Sequence, residues 1–543
     1  MRGSASIRDR RSVIFDKKSP LRNEQKEKLK LHWQQKLENV LQVDEKSDEF
    51  IKELTVLNWT ALDKPTLTEL EACLLQLVTL NTHYLKPILR MLLKKFLPDS
   101  EDLCRDKYAS YYTYVHSIIQ KVFVLVPMSS VLFMSLLREC FPYISLPSFR
   151  QACYVHHLLH MISYLPAQRK NILEIVISHL VKLDVHSPKE EILEAIEIME
   201  QEQDGEMELD EDVESKPTSV RELKHEYANS LDCLMLMMYE YIYDVCHKED
   251  KLQWEPTKEL YQDLMNVFDK LILPTYACSH VQFLIYYVCS FHLSLCKNFV
   301  EFLWMKFLDP NTASVLRQAC AAYIGSFLAR SKTVSIGFIS DCLKMMCQWI
   351  HQYIDSDGDA SRMQVDVGLH GPFYAACQTI FYLFAFHHTQ LVEMKDSVLI
   401  LRNLNFQRMV TCRLNPLKVC LSSIVRNFAS FARNYQVAYC YTVMEKNQRA
   451  SLPIASNVSS WQATILNQLD SFFPFDPYLL PQSNKYILPN FNEYQKEEDE
   501  ETSICEIEED DFLDAPLISP DAISTLPEFL VYSTSPGFKI SPT

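Results

Sequence analysis

Glycine is scarce in this chain, with only 8 glycines among 543 residues, whereas it makes up roughly 7% of average protein sequences. Glycine-rich loops that bind phosphates or dinucleotides need backbone at positive φ or in close approach to a ligand. The patterns GxxxxGK(S/T), GxGxxG and GxSxG do not occur in the sequence. The scarcity of glycine therefore argues against a nucleotide-binding enzyme and against an α/β-hydrolase.

Paired cysteine motifs are also lacking. The 17 cysteines form no CxxC pair and lie mostly within apolar segments. The chain opens with the basic and polar residues 1–21 rather than with the apolar segment of a secretory signal. Reduced thiols in an intracellular compartment are therefore expected.

No set of residues forms a convincing catalytic or metal site. His156 and His160 share one face of a helix in the segment HHLLH and could hold a metal ion. The glutamate of a metalloprotease signature is missing, as is a nearby carboxylate on that face, so a structural role is favoured. His387 and His388 are expected at a solvated helix end. We predict a protein that is not an enzyme and that needs no cofactor, with a metal-dependent hydrolase as the least favoured hypothesis.

Positive charge is in the minority too, since the formal net charge is −17. Phosphate neutralisation needs clustered cations, so little or no direct nucleic-acid binding is expected, and a basic protein surface is the more natural partner.

Residues 271–296 carry no charged side chain, but a proline and several polar residues interrupt them. We predict a fully buried helix of the core there, rather than a membrane span.

The most regular pattern lies in residues 307–328, FLDPNTASVLRQACAAYIGSFL. Asp309-Pro310 predicts the end of one helix, because proline cannot donate the hydrogen bond that would continue it. Asn311 and Thr312 predict the N-cap of a second helix. The residues expected on the buried face of that helix are Val315, Ala319, Ala322 and Ile324, and its small residues, which include Gly325, allow close approach of a neighbouring helix.

Two helices joined by such a turn are typical of a HEAT repeat, although a single helical hairpin in another all-α fold would share the pattern. One repeat cannot bury its apolar face alone and must stack on copies. Prolines that end apolar helices recur along the chain, and the steps from Pro98 to Pro142 and from Pro127 to Pro166 are about forty residues each. We therefore predict an all-α HEAT-repeat superhelical solenoid with almost no β-sheet.

Charge and composition divide the chain. Residues 190–214 contain thirteen acids and no Lys or Arg, and such a block repels itself and buries nothing. The aromatic segment at 472–477 is expected to dock on the last repeat. The predicted domains are a mobile basic arm and first helix (1–44), N-terminal HEAT repeats (45–200), a disordered acidic loop (201–217), C-terminal HEAT repeats (218–485) and a disordered acidic tail with Ser-Pro pairs (486–543).

Five ordered segments resemble the RNA polymerase I-specific transcription initiation factor IA family. The order and spacing agree over about residues 50–480 of this chain, and EEDDFL at 508–513 matches beyond them. The segments are LILPTYACSHVQF (271–283), LDPNTASVLRQACAAYIGSFLARSK (308–332), LHGPFYAACQTIFY (369–382), LNPLKVCL (414–421) and DSFFPFDP (470–477).

The resemblance implies a HEAT-repeat protein without catalytic activity. It implies a nuclear and nucleolar factor, with shuttling to the cytoplasm, that binds the stalk subunits of RNA polymerase I. It also implies a bridge to the promoter-bound selectivity factor, which contains TBP, and control by regulatory kinases. A HEAT-repeat nuclear transport receptor or scaffold is the alternative function.

The resemblance also suggests site residues. Ser129 and Ser130 fall where the family has a regulated position at its polymerase-binding face, with Val131 and Phe133 expected beside them at the surface. The alternative is that both serines merely cap the helix that follows. The stretch from Tyr323 to Tyr353 matches a segment implicated in contacting the polymerase. The candidate phosphorylation sites are Ser19, which resembles the family's amino-terminal proline-directed site, and Ser535 and Ser541, which match its growth-signal sites in the tail.

A short polar surface is predicted directly after the central HEAT helix. Arg330, Ser331 and Lys332 are candidates for a polymerase-binding patch there. A plain helix end, at which the cations complement the helix dipole, is at least as well supported.

Overall fold

The computed structural model describes residues 59, 64–98, 109–207, 223–275, 278–356, 365–395, 397–451, 469 and 472–494. The predicted arm at 1–44 and the tail beyond residue 494 lie outside the described residues, and so do Ser19, Ser535 and Ser541. The chain divides into two compact units, Met1–Val176 and Ile177–Thr543. The boundary falls within a helix rather than at the acidic segment 201–217.

The described part of the first unit consists of helices and the turns that join them, without a strand. Short 3₁₀ turns precede several helices, and two of them begin at a proline, Pro127–Ser129 and Pro166–Gln168. The helices are α1 (Lys64–Leu80), α2 (Leu85–Lys94), α3 (Ala109–Leu125), α4 (Ser130–Glu139), α5 (Ser148–Ile162) and the start of α6 (Arg169–Val185).

The described residues of the second unit contain the remaining helices and one short hairpin, β1 (His247–Lys248) with β2 (Lys251–Leu252). Directly after α9 the chain widens into a π-helix at Phe268–Ile272. The helices are α7 (Lys189–Met207), α8 (Glu226–Cys246), α9 (Trp254–Val267), α10 (Phe283–Cys289), α11 (Leu293–Leu308), α12 (Ser314–Arg330), α13 (Ile336–Ser356), α14 (Val367–Glu393), α15 (Ser397–Leu404), α16 (Phe406–Val410), α17 (Pro416–Val419), α18 (Ser422–Asn434) and α19 (Tyr441–Ser451).

The structure differs from the predictions at two segments. Helix α7 continues to Met207, seven residues into the segment predicted as a disordered loop, and residues 208–222 lie outside the described part. The uncharged run at 271–296 is not one helix, because the seven-residue α10 is flanked by turns.

Among the described residues, no single helix is long and apolar enough to cross a membrane. Two consecutive helical segments, Tyr111–Leu125 and Pro127–Glu139, together have the length and composition of a membrane span, but the chain bends by 114° between them.

Helix α12 is the predicted second helix of the HEAT pattern, but its start differs from the prediction. The N-cap residue is Ala313, which makes no side-chain cap, and the Asp309 carboxylate closes the turn instead. It accepts a hydrogen bond from the Asn311 N–H at 2.9 Å and another from the Thr312 hydroxyl at 3.2 Å. The carboxylate at the end of the preceding helix therefore holds the turn together, and the predicted side-chain cap on the first N–H groups of α12 is not formed.

The buried face of α12 is also shifted from the predicted one. Ile324 is buried, whereas Val315 is 69% exposed. Ala319 and Ala322 are half-buried and line a cavity of about 110 Å³ between α12 and α14. The core contacts of α12 therefore lie toward its C-terminal half. Nine of the ten residues from 321 to 330 are buried, and the exception is Ala322.

Gly325 allows α12 to approach α14 closely. A Cβ atom added at this residue would lie 2.8 Å from the Cγ2 atom of Thr379 on α14. We expect Gly325→Ala to destabilise the protein by roughly 1–3 kcal/mol, because the two helices would have to move apart. Gly337→Ala is the matched control, since a Cβ at residue 337 meets nothing within 4 Å. Urea unfolding of both variants tests the expectation, and equal midpoints would contradict it.

Helix α14 is the central helix of the second unit. Nearly all of its residues from His370 to Ala385 are buried, because α12, α13 and α18 pack against different sides of it. The helix bends at His370 and again at His387, where φ is −108° and −113°. His387 and His388 are buried rather than solvated: His387 Nε2 lies 3.2 Å from the Leu328 carbonyl, and the His388 ring stacks on Phe431 at 3.7 Å.

The chain crosses the second unit once more as an irregular segment, residues 472–494, which we name the C-terminal strap. Phe475 is fully buried, and its ring packs against Phe283 at 5.3 Å and Tyr323 at 5.7 Å. These partners belong to α10 and α12. The aromatic segment therefore docks on the centre of the unit and not on its last repeat.

Candidate functional site

The turn between α3 and α4 exposes an unusual amount of apolar surface. Val124 is 80% exposed, Met128 is 88% exposed and Val131 is 80% exposed, and Leu125 is also exposed. We name these four side chains the apolar turn. Apolar side chains grouped in this way at a protein surface are typical of a site of contact with another macromolecule.

Ser129 and Ser130 occupy the apolar turn in different ways. Ser129 is buried at 2% exposure, and its hydroxyl has no hydrogen-bond partner among the described residues. Ser130 is half-buried and is the first residue of α4. Neither hydroxyl caps the helix, so the capping alternative is not seen. Phe133, expected at the surface, is instead buried against Phe123 at 5.0 Å.

The predicted polar patch after α12 lies mostly inside the protein. Arg330 is fully buried and Ser331 is 5% exposed, while Lys332 is exposed. Tyr323 is also buried, at 1% exposure. The prediction that Arg330 and Ser331 form a surface is therefore wrong, because α12 ends beneath the C-terminal strap.

Arg330 instead holds the C-terminal strap. Its Nη2 donates to the Asp476 carboxylate at 2.5 Å, and its Nη1 donates to the Asn492 carbonyl at 2.9 Å. The guanidinium lies over the rings of Phe386 and Phe491, 5.2 and 5.1 Å from their centroids. Burial alone would lower the pKa of Arg330, but Asp476 outweighs it, so the arginine is held in its charged form.

A second buried carboxylate, Asp184, organises the loop at 278–281. It accepts hydrogen bonds from the backbone N–H groups of three successive residues at 2.8 to 3.0 Å, from the Cys278 thiol at 2.9 Å and from His280 Nδ1 at 2.9 Å. Burial would raise the pKa of Asp184, but the hydrogen bonds from His280 and Cys278 outweigh it and the pKa lies below its usual value. The carboxylate is structural, because every group around it donates to it.

Two histidines of the first unit, His116 and His157, are also structural. His116 Nε2 lies 3.1 Å from His157 Nδ1, and His116 Nδ1 lies 2.8 Å from the Tyr164 hydroxyl. Burial lowers the pKa of His116 to about 3 and that of His157 to about 2, which keeps both rings neutral. Within the described part of the chain, no group of three or more His, Cys, Asp or Glu residues could hold a metal ion.

Comparison with known proteins identifies the family. Residues 9–499 of this chain match the sequence model of a protein family, which is described as RNA polymerase I specific transcription initiation factor RRN3. RNA polymerase I-specific transcription initiation factor RRN3 of Mus musculus is 35% identical over 528 residues, covering 90% of this chain and 80% of the mouse protein. The corresponding factor of Schizosaccharomyces pombe is 25% identical over 505 residues, with coverage of 86% and 80%.

The fold of this chain agrees with that of a solved structure whose name matches the family. The crystal structure of RNA polymerase I transcription initiation factor Rrn3 matches with a TM-score of 0.68 and 20% identity, and the match covers 88% of this chain and 92% of that chain. The predicted all-α HEAT-repeat fold is therefore confirmed. These relatives are initiation factors rather than enzymes or transport receptors, so the prediction of a non-enzyme is confirmed as well. The chain belongs to the family of RNA polymerase I-specific transcription initiation factors represented by RRN3.

Proposed function

We propose that this chain starts ribosomal RNA gene transcription by binding RNA polymerase I through the apolar turn and bridging the enzyme to the promoter-bound selectivity factor. The observation that carries the proposal is the exposure of Val124, Leu125, Met128 and Val131 around the half-buried Ser130. Family membership gives the polymerase as the partner class, and the polymerase stalk is the proposed contact. The factor acts in the nucleus, and we extend this to the nucleolus with shuttling to the cytoplasm.

The apolar turn is suited to a reversible contact, one that forms and dissociates. Its exposed side chains contribute little to the stability of the free protein, because they are mostly in water already. Covering them with a partner would release that water and favour association, by about 25 cal/mol for each Å² of apolar surface buried. The turn can therefore be changed without unfolding the first unit, which makes a binding test possible.

The test replaces Met128 and Val131 together by glutamine. We expect binding to purified RNA polymerase I to weaken by about 1–3 kcal/mol, because two apolar contacts are lost while the helix is kept. Val315→Gln, at a 69% exposed valine of the second unit, is the control and should leave binding unchanged. Equal affinity of the double variant and the parent, measured by quantitative pull-down, would remove the apolar turn from the interface.

We further propose that phosphorylation of Ser130 controls the same contact. A phosphate carries about −1.5 to −2 charges at pH 7, and at the first residue of α4 the helix dipole tolerates that charge. The charge would lie among apolar side chains from which a bound partner must exclude water, so it would oppose binding. The residue after Ser130 is Val131, so a proline-directed kinase would not recognise this site, whereas Ser19, Ser535 and Ser541 precede prolines.

Ser130→Asp is expected to weaken polymerase binding by about 1–3 kcal/mol while the helix content, measured by circular dichroism, stays unchanged. Ser148→Asp is the matched control, since Ser148 is the half-buried first residue of α5. Ser129→Asp is not a clean mimic, because it places a carboxylate at a buried position and should destabilise the first unit. Unchanged binding by Ser130→Asp would exclude this residue from control of the contact.

A further inference from the structure

One surface of the second unit has the opposite charge to the protein as a whole. Residues 397–451 contain eight Lys or Arg residues and a single acid, Glu445, in a chain whose net charge is −17. Seven of the eight cations are exposed, and Glu445 is already paired with Arg449. Positive charge is therefore concentrated on the short helices α15–α19.

The cations lie on helices that contact one another. Arg426 and Arg433 share the exposed face of α18, since they are seven residues apart. The guanidinium of Arg433 lies over the ring of Tyr441 at the start of α19, 5.5 Å from its centroid. Helices α17 and α19 are joined by paired hydrogen bonds between Asn415 and Asn447.

We name this region the basic surface. Its four cations form no salt bridge within the described residues, and its two tyrosines are 72% and 47% exposed. It consists of Lys418, Arg426, Arg433 and Lys446 together with Tyr439 and Tyr441.

The described chain ends near the helices that carry the basic surface. Tyr494 packs on Phe386 of α14, with ring centroids 5.4 Å apart. The same part of α14 contacts α18, where His388 stacks on Phe431. A chain extends by at most about 3.3–3.6 Å per residue, so the twenty residues after Tyr494 can span about 65 Å. The chain beyond residue 494 can therefore reach every helix of the basic surface.

The chain that follows has the complementary composition. Residues 497–514 contain eleven acids and no Lys or Arg, and they include Phe512 and Leu513. We propose that residues 497–514 of the same chain dock on the basic surface, with the carboxylates beside the four cations and the apolar pair beside the exposed tyrosines. The docked segment covers the basic surface until a partner with more negative charge displaces it.

The tether favours this occupant over an acidic partner from solution. A segment linked to its site has an effective concentration in the millimolar range for a short linker, so even weak charge pairing holds it in place. Free nucleic acid would also meet a strongly negative protein outside this surface. Because the pairing is between exposed charges, it should weaken as salt shortens the Debye length from about 10 Å at 0.1 M to about 3 Å at 1 M.

Carbodiimide coupling of the full chain tests the proposal directly, because this reagent joins a lysine amine to a carboxylate only when the two are in contact. Mass spectrometry should find Lys418 or Lys446 linked to carboxylates of residues 497–514 at low salt, with at least a fivefold loss of these links in 1 M salt. Lys258, an exposed lysine of α9, is the control and should stay unlinked to the segment. Mixing the chain with an isotopically labelled copy shows whether the links lie within one chain. Links that are absent, spread equally to Lys258, or formed only between chains would overturn the proposal.

A competition experiment separates the tail from nucleic acid as the occupant. We expect the full-length variant Glu508→Gln, Glu509→Gln, Asp510→Asn, Asp511→Asn to bind a labelled random-sequence DNA duplex about tenfold more tightly than the parent at low salt. Adding Arg426→Gln and Arg433→Gln to that variant should abolish the gain. If the parent binds DNA as tightly as the variant does, the surface is open to nucleic acid and the tail does not occupy it. If DNA binding rises but survives the two arginine changes, the tail covers a different surface, and the proposal is equally overturned.

Discussion

Replacing Arg330 by methionine is expected to lower the free energy of unfolding by about 3–5 kcal/mol. The change leaves Asp476 as a buried carboxylate without its main partner and removes the hydrogen bond to the Asn492 carbonyl. Because the C-terminal strap depends on these contacts, its amides should lose protection first. Hydrogen exchange at Phe475 and Asn492, whose N–H groups bond to α12, together with urea unfolding, measures the effect.

Lys332→Met is the matched control for Arg330→Met, since Lys332 is exposed two residues away; we expect a change within about 0.5 kcal/mol. The double variant Arg330→Met with Asp476→Leu should recover most of the loss. Arg330 Nε and Asp476 Oδ2 have no hydrogen-bond partner among the described residues, so the pair is not fully compensated, and apolar residues of similar volume can replace it. A double variant as unstable as the single one would show that the ion pair has no apolar substitute.

Asp184→Asn should be comparably damaging, at about 3–5 kcal/mol. An amide oxygen accepts more weakly than a carboxylate, and the amide N–H₂ group faces donors from residues 278–281 that it cannot pair with. We expect the loop and the adjoining α10 to lose hydrogen-exchange protection together. Asp341→Asn is the control, since that carboxylate is 72% exposed and pairs with Lys344 three residues away.

The pH dependence of the Asp184 contribution follows from the direction of its pKa. The pKa in the folded state is depressed, so the carboxylate binds a proton more readily after unfolding. Its contribution is full above the ordinary aspartate pKa of about 3.9 and is lost as the pH falls through the folded value. The parent protein and Asp184→Asn should therefore converge in stability in strong acid. A difference in stability that stayed constant down to pH 2 would contradict the assigned role.

The helices and their ends could largely be predicted from the sequence, because they depend on local physics. Pro127 and Pro166 begin the turns before α4 and α6, and Pro416 is the first residue of α17. Gly325 was expected at a close helix approach, and it lies against Thr379. The site was harder to predict. The resemblance singled out Ser130, but the exposure of Met128 and Val131 depends on how α3 and α4 turn back on each other.

The sequence by itself determined that this protein is built from stacked helices and that it belongs to a family of polymerase I initiation factors. Apolar periodicity, prolines and five ordered segments are properties of the chain read locally. Only the tertiary structure decided which charges are buried. In the sequence Arg330 resembles an exposed helix end, but in the structure it lies beside Asp476, which is 146 residues further along the chain. His388 likewise resembles a solvated residue in the sequence, but α18 covers it in the structure. Burial is set by partners distant in sequence, and no local pattern of residues records where such a partner will lie.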